Sequence, residues 1–309
     1  MTKRTRPPPI DDDGDPGTDG KRLWSETYDP PVTVDDPIPP STADDANAIS
    51  RKWPVYVCDE GGICRMDTPA FMRARSDTAK WQTIEFLELG QYYSERTVDD
   101  LPDNLRSLHV SGEKINEFPD DLPYHIEQIC WTHTRIRRVP CLGNYAAIRD
   151  LTFRLNDIQT FGGDLPPFLT TLFLAEAGLH SLPDLPESVE EVFVASARMS
   201  HFPDVSHCTR MRSMKIVQCP IERLGELPAS LTELKLSNMP RLTEFPEWLV
   251  ATQIAVLELD RTGIRHVPDL RSFVHLKRFK CVGNPLHSVA YLPEGCSVET
   301  DGDRAKIRV

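Results

Sequence analysis

The stretch LPDNLRSLHVSGEKINEFPDDLPYHIEQICWTHTRIRRVP, residues 101–140, contains one short pattern twice. Apolar side chains stand at Leu105, Leu108 and Val110 and return 21 residues later at Ile126, Ile129 and Trp131. A second apolar pair follows each trio, Ile115 with Phe118 and then Ile136 with Val139, and each pair ends against Pro119 or Pro140. Self-similarity at a fixed period of this size marks stacked architectures, in which each unit leans on its neighbours.

The pattern extends in both directions. Its first apolar positions are Ile84, Leu105, Ile126, Ile148, Leu169, Val189, Met211, Leu231, Ile254 and Leu276, separated by 20–23 residues. The fourth and sixth positions keep step, as in Leu151 and Phe153, Leu172 and Leu174, Leu234 and Leu236. The eleventh and fourteenth do so too, with Leu242 and Phe245 displaced by one residue. The fold class this predicts is a solenoid of the leucine-rich-repeat type, formally α/β but mostly β. It has about ten short repeats, parallel strands on the concave side and irregular convex returns.

The physics behind that reading is simple. A unit of about 21 residues cannot enclose a core, so its apolar face must be covered by the next unit. In L-x-L the two apolar residues point inward, because strand side chains alternate between faces, and the x residues face out. Ten strands at about 4.8 Å give roughly 45 Å of arc. Proline blocks helix and favours extended backbone on the convex side, as at Phe118-Pro119, Val139-Pro140, Leu182-Pro183, Phe202-Pro203, Phe245-Pro246 and Val267-Pro268. An asparagine at the ninth position, able to satisfy backbone groups between repeats, stands only at Asn156 and Asn284. Elsewhere water or neighbouring backbone is expected to take its place, giving a less regular array.

Composition divides the chain. Of 30 leucines only Leu23 precedes residue 87, and residues 1–50 hold 9 prolines and 11 acidic against 5 basic side chains. Such a segment buries too little apolar area to offset chain entropy and is expected to be disordered. Within it Leu23, Trp24 and Tyr28 form a small apolar island. Residues 51–83 are expected to form an N-terminal cap. Its parts are a strand at Trp53 to Val57, a turn at Gly61-Gly62, a helix opened by Thr68-Pro69, and a second short helix capped by Ser76 or Asp77. Residues 84–292 are the solenoid and 293–309 a C-terminal cap or tail. No apolar run approaches the roughly 18 residues of a membrane span, and no apolar core follows the basic N-terminus as in a Sec signal peptide. A net charge of −12 without a long basic run argues against nucleic-acid binding by bulk charge.

Segments such as LPDNLRSLHVSGEKINEFP (101–119), LPPFLTTLFLAEAGLHSLP (165–183) and LPASLTELKL (227–236) resemble the LPX subtype of bacterial leucine-rich-repeat proteins. That subtype is best known from type III secreted effectors, some of which join the repeats to a C-terminal novel-E3-ligase domain. The resemblance covers roughly residues 84–292. It implies a flexible N-terminal export signal, which residues 1–50 suit and where a secretion chaperone would bind, followed by a helical cap and a solenoid that binds a host protein. It also implies secretion, with the host cytoplasm as destination, or otherwise residence in the bacterial cytoplasm. The family's ligase signature Cys-x-Asp occurs nowhere, and some 20 residues after the repeats leave no room for that domain. Intrinsic ubiquitin-ligase activity is set aside on these grounds. The alternatives are a substrate-recognition component of a ubiquitin-ligase system and an intracellular bacterial scaffold.

No chemistry-bearing motif emerges. There is no Gly-rich phosphate loop, H-E-x-x-H, G-x-S-x-G or paired CxxC, so the reading is a non-enzyme with no cofactor and no metal. Cys58 and Cys64 lack two further ligands nearby, and Cys130 at an outward strand position lacks a mapped base. The functional expectation therefore rests on the concave face. Phe173 and Phe193 are expected to be adjacent outward aromatics, and Lys215, Lys235, Lys277, Arg278 and Lys280 to form a basic stripe beside them. Such an aromatic anchor and stripe would meet an acidic or mixed protein surface.

Overall fold

The computed structural model describes residues 63–66, 75–90, 93–246, 249, 253–286 and 291–300. The expected tail 1–50, the strand and turn of 53–62, the helix opened by Thr68-Pro69 and residues 301–309 lie outside them.

The described chain begins with β1 (Ile63–Met66), a one-turn helix α1 (Thr78–Trp81) and β2 (Phe86–Leu89). Strands β3 (Ser107–Ser111), β4 (Gln128–Thr132), β5 (Arg138–Val139), β6 (Asp150–Arg154), β7 (Thr160–Phe161) and β8 (Thr171–Ala175) follow. Then come β9 (Glu191–Ala195), β10 (His201–Phe202), β11 (Ser213–Val217), β12 (Arg223–Leu224) and β13 (Glu233–Met239). The last are β14 (Val256–Thr262), β15 (Arg278–Cys281) and β16 (Ser297–Thr300).

Twelve of these form one parallel sheet in the order β1-β2-β3-β4-β6-β8-β9-β11-β13-β14-β15-β16. Ten are the strands of the ten repeats. The sheet also carries β1 and β16, one at each end, which the L-x-x-L-x-L pattern does not mark. The helix α1 has the expected cap: the Asp77 side chain accepts a hydrogen bond from the Lys80 amide at 3.3 Å. Trp81 then ties this turn to the first repeats, its indole Nε1 donating to the Asp100 carbonyl at 3.2 Å.

The apolar positions are buried as the pattern requires. Residues one, four and six of each repeat, such as Ile126, Ile129 and Trp131, are at most 5% exposed. Proline keeps the back extended, but the returns are partly regular. Thirteenth and fourteenth positions of adjacent repeats pair as two small parallel sheets, β5 with β7 and β10 with β12. Large side chains fill the wider space beneath them. Phe118 stacks on Trp131 at 4.8 Å, and Phe161 meets Phe153 edge-on at 6.0 Å.

A left-handed residue at the eighth position ends β4, β6, β8, β9 and β11 and lies within β13 and β14. His133, Leu155, Glu176, Ser196, Gln218, Asn238 and Arg261 all lie there with φ of 50–54°. Left-handed backbone costs about 1–3 kcal/mol at a non-glycine residue. An inter-repeat bond compensates: the amides of His133, Leu155, Glu176, Ser196, Gln218 and Arg261 donate to the carbonyls of Arg154, Ala175, Ala195, Val217, Ser237 and Val282, each at 2.7–3.0 Å. The bond forms in repeats with the ninth-position asparagine, as at Leu155, and in repeats without it, as at Glu176 and Ser196.

Where that asparagine is present it makes a buried clamp. Asn156 Oδ1 accepts from the Thr134 amide at 3.2 Å and from the Thr134 hydroxyl, while Nδ2 donates to the Trp131 and Arg154 carbonyls at 2.8 and 3.0 Å. Asn284 repeats the arrangement on Thr262, accepting from its amide at 2.7 Å and its hydroxyl at 2.6 Å, and donating to the Leu259 and Val282 carbonyls. The two threonines occupy the ninth position of the preceding repeats, so the departure from asparagine there creates a matched pair.

Asn156→Ala strips partners from several buried groups at once and is expected to destabilise the solenoid by about 2–4 kcal/mol. The exposed neighbour Asp157→Ala should stay within about 0.5 kcal/mol. Chemical denaturation of the two variants side by side checks this.

Candidate functional site

The in-register sheet turns the outward residues of the strands into continuous rows. The row at the fifth repeat position runs Glu88, His109, Cys130, Thr152, Phe173, Phe193, Lys215, Lys235, Glu258, Lys280 and Glu299. Beside it the third-position row includes Asp150, Thr171, Glu191, Ser213, Glu233, Val256 and Arg278.

Phe173 and Phe193 meet as expected. Their rings stack face to face, 4.4 Å between centroids and 6° from parallel. Phe173 is 9% exposed and Phe193 is half-buried, so the pair is a packed ledge rather than two projecting rings. Small residues of the seventh position, Ala175 and Ala195, lie in register on the next row and are buried.

The residues of the expected basic stripe are interleaved with carboxylates. Lys215, Lys235, Arg278 and Lys280 do lie on the outward rows, but each is tied to carboxylates from the same or the adjacent strand. Lys235 Nζ reaches Glu233 at 2.9 Å and Glu258 at 3.5 Å, and Lys215 reaches Glu233 at 3.9 Å. Arg278 spans Glu258 and Glu299 at 3.8 and 3.6 Å, and Lys280 spans Asp260 and Glu299 at 2.9 and 3.4 Å. Four cations and four carboxylates neutralise one another. Lys277 stands one residue before β15, in the row of Arg106 and Arg149, and is exposed there.

The reason is cross-strand distance. Parallel neighbours about 4.8 Å apart bring flexible lysines within reach of any carboxylate one row or one strand away. Glu233, Glu258, Asp260 and Glu299 alternate with the basic residues on these strands.

The network shifts its own titrations. Burial pushes the Glu233 carboxyl up, but hydrogen bonds from Lys235 and Ser213, with the Lys215 and Lys235 charges, more than offset it and leave it below its ordinary value. Burial likewise draws the Lys235 ammonium down, and Glu233 and Glu258 reverse the direction. The Asp260 carboxylate holds Lys280 above its ordinary value.

The sheet also places His109 between Glu88 and Cys130 in register, the base that sequence alone could not map. The chemistry opposes a nucleophile. Burial pushes the Cys130 thiol up to about 12, the Glu88 charge adds to this and Arg154 counters it, so at neutral pH the sulfur is protonated. A reactive cysteine requires the opposite shift. Cys281 and Cys296, which could have met at the C-terminal end, are both free thiols. Among the described residues no His, Cys, Asp and Glu group is arranged to hold a metal ion, and no helix is long and apolar enough to cross a membrane.

No protein-family model matches the chain. The disease resistance protein RPS4B of Arabidopsis thaliana is 30% identical over 135 residues, 41% of this chain and 11% of that protein. A second Arabidopsis thaliana protein, the probable disease resistance protein At4g19520, is 19% identical over 211 residues. This chain spans about a tenth of the length of either. Among solved structures, the functional domain of InlJ from Listeria monocytogenes superposes with a TM-score of 0.51 at 13% identity, over 68% of this chain and 51% of that one. The TLR13–ssRNA13 complex gives 0.54 at 13% identity, over 75% and 43%. The fold is that of leucine-rich-repeat proteins. The InlJ structure is described as including a cysteine ladder, whereas Cys130, Cys141 and Cys219 here occupy different repeat positions and make no ladder.

The charge network has a pH signature. Glu233, held low, contributes stability that is present above its ordinary carboxyl value and lost as pH falls through its lowered one. Lys235 and Lys280, held high, contribute stability that is present below the ordinary lysine value and lost as pH rises through their raised ones. Because the pairs are partly exposed, each is worth at most about 1 kcal/mol. Glu233→Gln should therefore flatten the acid limb of the stability profile below about pH 4.5 and leave the range from pH 6 to 8 displaced by no more than about 1 kcal/mol. Urea melts across pH measure both.

Proposed function

We propose that this chain is a non-enzymatic, protein-binding leucine-rich-repeat protein that grips its partner on the concave face at the Phe173–Phe193 stack. The single observation that carries the reading is that stack, two phenyl rings face to face from adjacent strands in a row otherwise made of polar and charged side chains. The stack lies on the outward rows of the sheet, on the side away from the core. Aromatic residues at the centre of a concave surface are the usual anchors of protein recognition.

The surroundings decide what kind of partner. With the cations of the C-terminal half spent on Glu233, Glu258, Asp260 and Glu299, little net positive charge is left to attract an acidic partner or a phosphate backbone. The TLR13 structure is a complex with ssRNA13. In this chain, the neutralised network and a net charge of −12 favour a protein partner held by apolar contact.

The LPX-like segments and the acidic, proline-rich residues 1–50 support the finer reading of a secreted bacterial effector whose partner is a host protein. On this reading residues 1–50 carry the export signal and meet a secretion chaperone before release.

Capture from host-cell lysate, with the recovered protein identified by mass spectrometry and its affinity then measured directly, tests the proposal. Phe173→Ser with Phe193→Ser should weaken that affinity at least tenfold, while Lys215→Ser with Lys280→Ser changes it less than threefold. Equal affinity of the wild type and the double phenylalanine variant, both folded by circular dichroism, would sink the anchor.

A further inference from the structure

We infer that the rim formed by the turns at Tyr124-His125, Ala146-Ala147 and Pro167-Phe168 is a second binding site, separate from the concave face. Its occupant is a proline-rich peptide in the polyproline II conformation, flanked by a cation.

The site follows from the way the strands are entered. A tight turn precedes β3, β4, β6, β8 and β9, closed by a bond from the first-position amide to the carbonyl three residues before it. Ile126, Ile148 and Leu169 donate in this way to Pro123, Tyr145 and Pro166 at 3.1–3.3 Å, and Leu105 and Val189 do the same in the repeats on either side. Stacking therefore lines up the tip residues of successive turns along one flank of the repeats. The three middle tips carry no lysine, arginine or carboxylate, and the tips on either side begin with the exposed Asp103 and Glu187.

Two aromatic rings stand on this rim. Tyr124 is 80% exposed and Phe168 55%, two of the five exposed large apolar side chains among the described residues. Both are held in place. Tyr124 lies 6.4 Å from Tyr145 between ring centroids, and the Tyr145 hydroxyl accepts from the Leu122 amide at 3.1 Å. The Arg149 guanidinium sits 5.5 Å from the centre of the Phe168 ring and donates to the Ala146 and Ile148 carbonyls at 2.7 and 3.1 Å. Between the rings the alanine tip leaves a low saddle. Ordered aromatic side chains open to water are the kind that anchor partners.

The spacing selects the occupant. Tyr124 and Phe168 are two repeats apart, about 9.6 Å at the separation of parallel strands. A polyproline II helix has three residues per turn, so prolines at i and i+3 share a face about 9.3 Å apart. One proline can lie on each ring while the turn between them passes over the alanines. An extended strand repeats a face at about 6.6 or 13 Å and meets one ring only. An α-helix is about 10 Å across and seats in a groove with two walls, whereas the row of tips is a single rim. Asp103 and Glu187, one step beyond the rings, favour a lysine or arginine beside the prolines and repel a phosphate backbone.

Fluorescence anisotropy is the test, with the full chain titrated into a fluorescein-labelled peptide of nine prolines bearing an arginine at each end. Saturable binding with a Kd of about 100 μM or tighter is expected. Tyr124→Ala with Phe168→Ala should weaken it at least about tenfold, and Asp103→Asn with Glu187→Gln at least about threefold. All four side chains are exposed, so both variants keep the core intact. Phe173→Ser with Phe193→Ser should change the affinity less than about twofold, which separates this site from the concave one. Absence of saturation at about 1 mM protein, or equal binding of a glycine-serine peptide with the same two arginines, would overturn the inference. An affinity unchanged by Tyr124→Ala with Phe168→Ala, or lost only in the concave variant, would do so too.

Discussion

A unit of about 21 residues that cannot bury its own apolar face must stack, and everything else in this molecule follows from stacking in register. Register makes the first, fourth and sixth positions one continuous core, and it makes the outward positions continuous rows. It also fixes the eighth position as a left-handed turn, because the amide there has to reach the seventh-position carbonyl of the next repeat. Leu155 and Glu176 accept an unfavourable backbone conformation for that bond. Local preference gives way to the cooperative requirement of the array.

The same register explains the composition of the concave face. Side chains in one row are close enough to pair across strands, so a lysine cannot be counted as free positive charge without its neighbours. Glu233 and Glu258 bridge lysines and an arginine on either side, and the charges become part of the wall. Phe173 and Phe193, five and six steps from the first strand, are left as the distinctive chemistry of the surface.

Much of this is legible in the sequence. The period, the ten strand starts, the outward placement of the two phenylalanines and their adjacency all follow from counting, because a strong repeat makes position equivalent to location. What escapes counting has physical causes. β1 and β16 lack the apolar trio, and they join the sheet through backbone pairing that any sequence can offer. The pairing of Thr134 with Asn156 needs two repeats read together, since the donor and acceptor lie 22 residues apart. Neutralisation of the lysines is likewise a property of adjacent rows. The turn at the eighth position leaves little trace, because His133, Leu155, Glu176 and Gln218 share no feature that favours it.

On the proposed reading, recognition on this face is apolar and its charges serve the wall. The salt dependence of partner affinity tests this most directly. If the ring stack is the anchor, affinity should change less than about threefold between 50 and 500 mM salt, since apolar contact is little screened. A loss of a hundredfold or more over that range would mean that the lysine-rich half binds by charge and that the ring stack is not the anchor.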